Sequence, residues 1–161
     1  MKRLLIALAA VSAIAVVMFA VTAWGKPSGK PKHNAGKKIT VIEHATTDTE
    51  TDTGAPGPSV GDLLTFANDV FDKTDTNKVG TDQGYCIRVV PGPAEGSSYE
   101  CNLTTMLAKG NIVLEGPFYD AQDSVLAITG GTGRYRNARG TMELQSREGG
   151  TKFAFIFHII G

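Results

Sequence analysis

The chain has 161 residues, and its 16 Lys plus Arg balance 16 Asp plus Glu, so the formal net charge is zero. That balance excludes a partner held by bulk charge, such as nucleic acid, and the length gives room for one domain with its own core. The hydrophobic fraction of 42% is that of a globular protein, not a disordered one.

Lys2-Arg3 is followed by an almost unbroken apolar run from Leu4 to Val21, and then by Val21-Thr22-Ala23. This is the pattern of a secretory signal over residues 1–23. The run is also just long enough to span a bilayer, so an uncleaved anchor is the competing reading and the only route to a membrane. Residues 24–38 are rich in Gly, Pro and Lys with no apolar period, and form a flexible basic linker. The expected location is secreted or in the cell envelope.

From Ile39 the pattern becomes that of strands. Ile39 to Ala45 is short and β-branched, and Thr46 to Pro58 is a polar loop. Between Val60 and Phe71, Leu64, Phe66, Asn68 and Val70 alternate onto one face. Lys78 to Val90 contains the strand-like run Tyr85 to Val90, Pro91 to Ser97 is a turn, and Tyr99 to Leu107 returns. Asn111 to Phe118, Ser124 to Thr129, Gly140 to Ser146 and Lys152 to Ile160 complete the set. About eight antiparallel strands joined mostly by short turns predict an all-β closed barrel over residues 39–161, with a two-sheet sandwich as the alternative. Such a barrel is either filled by side chains or holds one small ligand.

Two cysteines, Cys86 and Cys101, stand in a chain that carries an export signal, which predicts a disulfide. If Val90 pairs with Ser97, Cys86 falls directly opposite Cys101. The glycine-rich stretch Ile128 to Gly140 tempts a phosphate-loop reading. Gly131 and Gly133 give GxG, but Arg136 stands where a third glycine belongs and no helical segment follows. A tight corner or bulge between two strands fits better. Gly130, Gly131, Gly133 and Arg139 are then structural, with Arg139 tying strand ends. Asp75, Asn77 and Gly80 lack the remaining ligands of a calcium loop, and His33, His44 and His158 have no metal-ligand spacing. No metal and no cofactor are expected.

The corner Thr129-Gly-Gly-Thr-Gly-Arg-Tyr-Arg-Asn-Ala-Arg-Gly140 resembles the shared signature of allene oxide cyclases and dirigent proteins. Further blocks follow the same order: Gly61 to Asn68, Val79-Gly80 with Gly84-Tyr85-Cys86, Tyr99-Glu100, Gly116-Pro117-Phe118 and Asp123 to Gly131. The resemblance covers about residues 39–161. It implies an eight-stranded antiparallel barrel, assembled as a homo-oligomer (trimer or dimer), that holds a small apolar ligand, lipid-like or phenolic. In the plant cyclase a glutamate and a bound water act on a fatty-acid epoxide inside the barrel, and restraint guides the ring closure.

By motif position the resemblance makes Glu43 and Asn68 the catalytic pair, and Leu64, Phe66, Cys86 and Phe118 the ligand-binding wall. Ala45 stands where the cyclase has a second asparagine, the Ser-Pro pair of its water site has no counterpart in Thr46 to Asp52, and Phe118 replaces a tyrosine. The implied function is an exported isomerase or intramolecular cyclase, with a non-catalytic dirigent-like or ligand-binding barrel as the alternative. Altered chemistry is expected, with weak or no turnover of the plant substrate. A cavity of a few hundred Å3 with Glu43 and Asn68 converging would favour a ligand site, and a filled interior a structural protein. Glu43, partly removed from water, should hold its proton to higher pH unless it is hydrogen-bonded as the anion.

Overall fold

The alternation of apolar residues from Ile39 onward closes on itself in the computed structural model, which describes residues 36–160. The signal segment 1–23 and most of the linker lie outside the described residues. Nine strands form: β1 (Lys37–His44), β2 (Thr49–Thr51), β3 (Leu63–Asp72), β4 (Lys78–Val90), β5 (Ser98–Leu107), β6 (Gly110–Tyr119), β7 (Ser124–Gly131), β8 (Gly140–Arg147) and β9 (Lys152–Ile159). They pair in the order β1-β9-β8-β7-β6-β5-β4-β3, all antiparallel, and β1 also pairs with β3. That last ladder closes an eight-stranded barrel, and β2 is a short extra strand on β3. The first strand starts at Lys37, so Lys37 and Lys38 belong to the barrel and not to the linker.

β1 and β2 run along the same edge of β3. His44 pairs with Asp69 and Thr49 with Thr65, so residues 45–48 leave the ladder opposite residues 66–68. The stretch from Thr46 to Pro58 is therefore not all loop. β4 is one continuous strand, where the sequence pattern marks only its second half.

The disulfide joins Cys86 and Cys101 across β4 and β5, with Cα atoms 4.0 Å apart. Arg88 pairs with Tyr99 on the expected register, but a bulge follows, and Val90 pairs with Ser98 instead of Ser97. The bulge absorbs one residue above the bridge and leaves the cysteines opposed.

Inward-facing residues fill one end of the barrel and not the other. At the end where β1 begins, Val70, Ile112, Met142 and Phe157 are completely buried. Burying a side chain such as Phe157 contributes about 2–3 kcal/mol. The glycine corner seals this end. Tyr135, on a short 3-10 turn (Gly133–Tyr135), and Ala138 point inward, and the main chain of Thr132 and Arg134 donates to Asn111 and Lys109 on the neighbouring hairpin. Gly131 lies so close that a Cβ there would sit 2.4 Å from the Asn111 carbonyl oxygen, and Gly133 adopts φ +56.

Two residues of the corner take little part in this packing. A Cβ on Gly130 would meet nothing closer than 3.9 Å, so the structure makes no demand for glycine there. Among the described residues, the exposed Arg139 guanidinium reaches only the carbonyl of its neighbour Ala138, at 2.7 Å. It ties no strand ends, because main-chain bonds already do so. At the other end of the barrel the interior stays partly open, and the polar residues gather there.

Candidate functional site

Asn68 organises the open end. The alternation of β3 turns it inward with Leu64, Phe66 and Val70, and it is 1% exposed. Its Oδ1 accepts from the backbone N–H of Thr46 and of Thr47, each at 3.0 Å, and from the Thr47 hydroxyl at 3.0 Å. Only an oxygen can accept from those groups, so Nδ2 must face the other way. There it donates to Glu43 Oε1 and to Asp48 Oδ1, both at 2.7 Å. One amide thus holds the break between β1 and β2 and gathers two carboxyls. Its donors and acceptor are all occupied.

Glu43 is 4% exposed. Burial pushes its carboxyl well above the ordinary range; the hydrogen bond from Asn68 pulls the other way, and burial wins. His44, next in sequence, points outward. It stacks on Phe71 at 4.1 Å between ring centres, and its Nε2 lies 2.6 Å from Asp75 Oδ1. Lys152 Nζ donates to the other oxygen of Asp75 at 2.8 Å.

Beyond the carboxyls lies an apolar cavity of about 60 Å3. Glu43 and Asp48 form its polar wall, and Leu64, Phe66, Leu103, Phe118, Phe153 and Phe155 are among its apolar lining, with the Cys86–Cys101 bridge. Glu43 and Asn68 therefore come together, and Leu64, Phe66, Cys86 and Phe118 all lie on the cavity wall. Cys86 does so as half of a disulfide, not as a thiol. An outer recess of about 300 Å3 shares Phe118, Leu144 and Phe153 with the inner cavity. The edge-on pair Phe118–Phe153, 5.9 Å between centres, stands where the two meet. The inner space alone is below the about 300–1,000 Å3 of typical ligand pockets, and the outer recess reaches that range.

Three charged groups of this end were not singled out from sequence. Asp82, on β4, pairs across from Asn68 and is 0% exposed. Alternation would have found it: Cys86 faces inward if bridged to Cys101, so Gly84 and Asp82 on the same face do too. Arg88 is inward by the same count. Asp48 had no such signal, because it lies outside any ladder. Arg88 donates to Asp120 Oδ2 at 2.9 Å, to Glu50 Oε1 at 3.0 Å and to the Tyr99 hydroxyl, and its guanidinium lies 4.0 Å over the Tyr99 ring. Tyr99 donates to Glu50 Oε1 at 2.5 Å and Ser97 to Asp120 Oδ2 at 2.6 Å. This network fastens β2 and the β6–β7 turn to the barrel rim.

The family model described as the allene oxide cyclase barrel-like domain matches residues 42–156. Among solved structures, the chain is similar to a pyocyanin demethylase at 26% identity, over 75% of this chain and 100% of that one, with a TM-score of 0.64. It is also similar to AbnU, an exo-specific intermolecular Diels-Alderase, at 14% identity over 78% of this chain and 98% of that one, with a TM-score of 0.61. A pterocarpan synthase dirigent protein matches at 16% identity over 81% of this chain and 99% of that one, with a TM-score of 0.60. The last two likenesses are likenesses of fold.

Proposed function

We propose a function from one premise: the chain belongs to the family of allene oxide cyclase barrel-like domains. Within that family we infer an exported barrel that admits the end of a small apolar molecule, lipid-like or phenolic, and acts on it as an isomerase or cyclase. The observation that carries this reading is that Asn68 gathers Glu43 and Asp48 onto the wall of a cavity whose remaining lining is apolar. The body of the ligand lies in the outer recess, and its tip passes Phe118 and Phe153 to meet Glu43. A carboxyl held in low dielectric beside a shaped apolar wall can give or take a proton at that tip while the wall restrains the rest. The likeness to a demethylase at 26% identity supports a catalytic barrel over a purely structural one. The Cys86–Cys101 bridge supports export, since such bonds persist in oxidising compartments. Assembly into a trimer or dimer is part of the same proposal.

One observation favours a second reading. The inner cavity of about 60 Å3 takes only a ligand tip, which suits a non-catalytic, dirigent-like barrel that orients a molecule without enclosing it. Organic extraction of the purified protein with mass spectrometry, and titration with an apolar fluorescent probe, test both. The wild type is expected to release or bind an apolar molecule. Glu43→Gln should keep that binding within a few-fold and lose any turnover of the extracted compound. No turnover by the wild type would leave the non-catalytic reading, turnover by Glu43→Gln equal to wild type would remove Glu43 from the chemistry, and a wild type that binds nothing apolar would end both.

A further inference from the structure

Asp82 and Thr105 lie behind Glu43 on the inner face, directly across the β4–β5 ladder from each other, and both are 0% exposed. With both acids ionised, neither Asp82 oxygen has a hydrogen-bond partner, and the Thr105 hydroxyl has none either. Two carboxylates cannot donate to one another, and two adjacent buried charges of one sign cost far more than retaining a proton. One proton resolves the conflict between the two carboxyls. Asp82 then donates to Glu43, which accepts. Burial, reinforced by the negative charge of Glu43, keeps the Asp82 proton in place well above the usual carboxylate range. The geometry is independent of that shift: an orphaned, fully buried carboxyl abuts the one polar end of the cavity.

The remaining groups around the pair sharpen its consequence. Asp48, from the β1–β2 connection, adds a further carboxyl to the cavity wall. Asn68 from β3 and Thr105 from β5 are neutral. His44 on β1 is turned outward to Asp75. No Lys, Arg or His is among the described residues lining the cavity. Arg88, on the same face of β4, is already engaged by Glu50, Asp120 and Tyr99. An anionic end entering this cavity would meet carboxyls and no cation.

We propose that Asp82 is a positioning residue behind Glu43 that shares one proton with it, so that the cavity takes a neutral or cationic hydrogen-bonding end and rejects an anionic one. This rests on the ligand-binding reading above and adds the charge class of the ligand. A neutral carbonyl or hydroxyl can bond to Glu43 in either protonation state, and a cation gains further as the pair gives up its last proton. A carboxylate can enter only by carrying its own proton in.

The test uses the full chain and three probes of one shape: benzamidine (cationic), benzamide (neutral) and benzoate (anionic). Their affinities are read from resonance shifts of cavity-lining residues between about pH 5 and about pH 10, around the expected titrations. Benzamide and benzamidine are expected to bind at least about tenfold more tightly than benzoate at neutral pH. Benzamidine should tighten further above neutral pH in the wild type. That rise should be absent in Asp82→Asn and restored in Asp82→Glu. Equal or tighter binding of benzoate, or an unchanged profile in Asp82→Asn, would overturn the inference and leave the ligand-binding reading standing. If Asp82→Asn fails to fold, the wild-type profile decides, and a flat benzamidine profile above neutral pH overturns the proposal. Binding of none of the three, together with no binding of an apolar probe, would overturn both.

Discussion

Arg88 and Asp82 lie on the same inner face of β4, and both are buried. Arg88 meets two carboxylates, a phenol hydroxyl and the face of an aromatic ring, so its charge is matched group by group. Asp82 meets other acids and no cation, and it forms a side-chain hydrogen bond to Glu43 only by keeping a proton to donate. A fold under selection for stability alone has little reason to keep the second arrangement, since an apolar residue there would avoid the cost of burial. The contrast separates a clamp that holds the rim from an acid group kept, at some cost in stability, beside a cavity.

The clamp side should give the largest effect. Arg88→Ala leaves Asp120, Glu50 and the buried Tyr99 hydroxyl without their common partner, and should destabilise the fold by about 4 kcal/mol in urea denaturation. A loss below about 1 kcal/mol would mean the network is incidental. Next, replacing both Cys86 and Cys101 by Ser opens a cross-link of sequence separation 15. That should cost ~3 kcal/mol in the chain-entropy account, and peptide mapping without reductant should find the two cysteines linked in the wild type.

The acid side should respond with the opposite sign. In the unfolded chain Asp82 ionises near its ordinary value of 3.8, whereas in the fold it holds its proton to higher pH. Above pH 4 the native state therefore binds more protons than the unfolded state, and this group lowers stability as pH rises. Asp82→Asn should be more stable than wild type by about 1–3 kcal/mol at pH 8, and the advantage should vanish near pH 4, as read by thermal melts across that range. A variant destabilised at every pH would place Asp82 with Arg88, as a structural group. The smallest effect belongs to the corner. Arg139→Ala should change stability by less than about 0.5 kcal/mol. Gly131→Ala, which forces a methyl against the Asn111 carbonyl, should lower the melting temperature clearly in a side-by-side melt.

Much of this was legible in the chain because period-two alternation fixes direction as well as strand position. Leu64, Phe66 and Asn68 were placed on one inner face, and the opposed cysteines set the β4–β5 register. The same rule, carried four residues back from Cys86, would have revealed Asp82. Asp48 and β2 were not legible, because their positions depend on Asn68 capturing the backbone of residues 46 and 47, a long-range bond with no local signature. The surroundings of Arg139 were not legible for a related reason. Residue type indicates what a guanidinium can reach, but the main chain had already met the need at that corner.

The central claim is that the interior acids Glu43 and Asp82 hold a proton between them at neutral pH. Carbon-detected NMR of the side-chain carboxyls, titrated from acid to alkaline pH with Asp82→Asn for assignment, measures this directly. Two carboxyl titrations displaced above the ordinary range are expected, the higher of them missing in the variant. Ordinary titration of both Glu43 and Asp82 near pH 4 would contradict it.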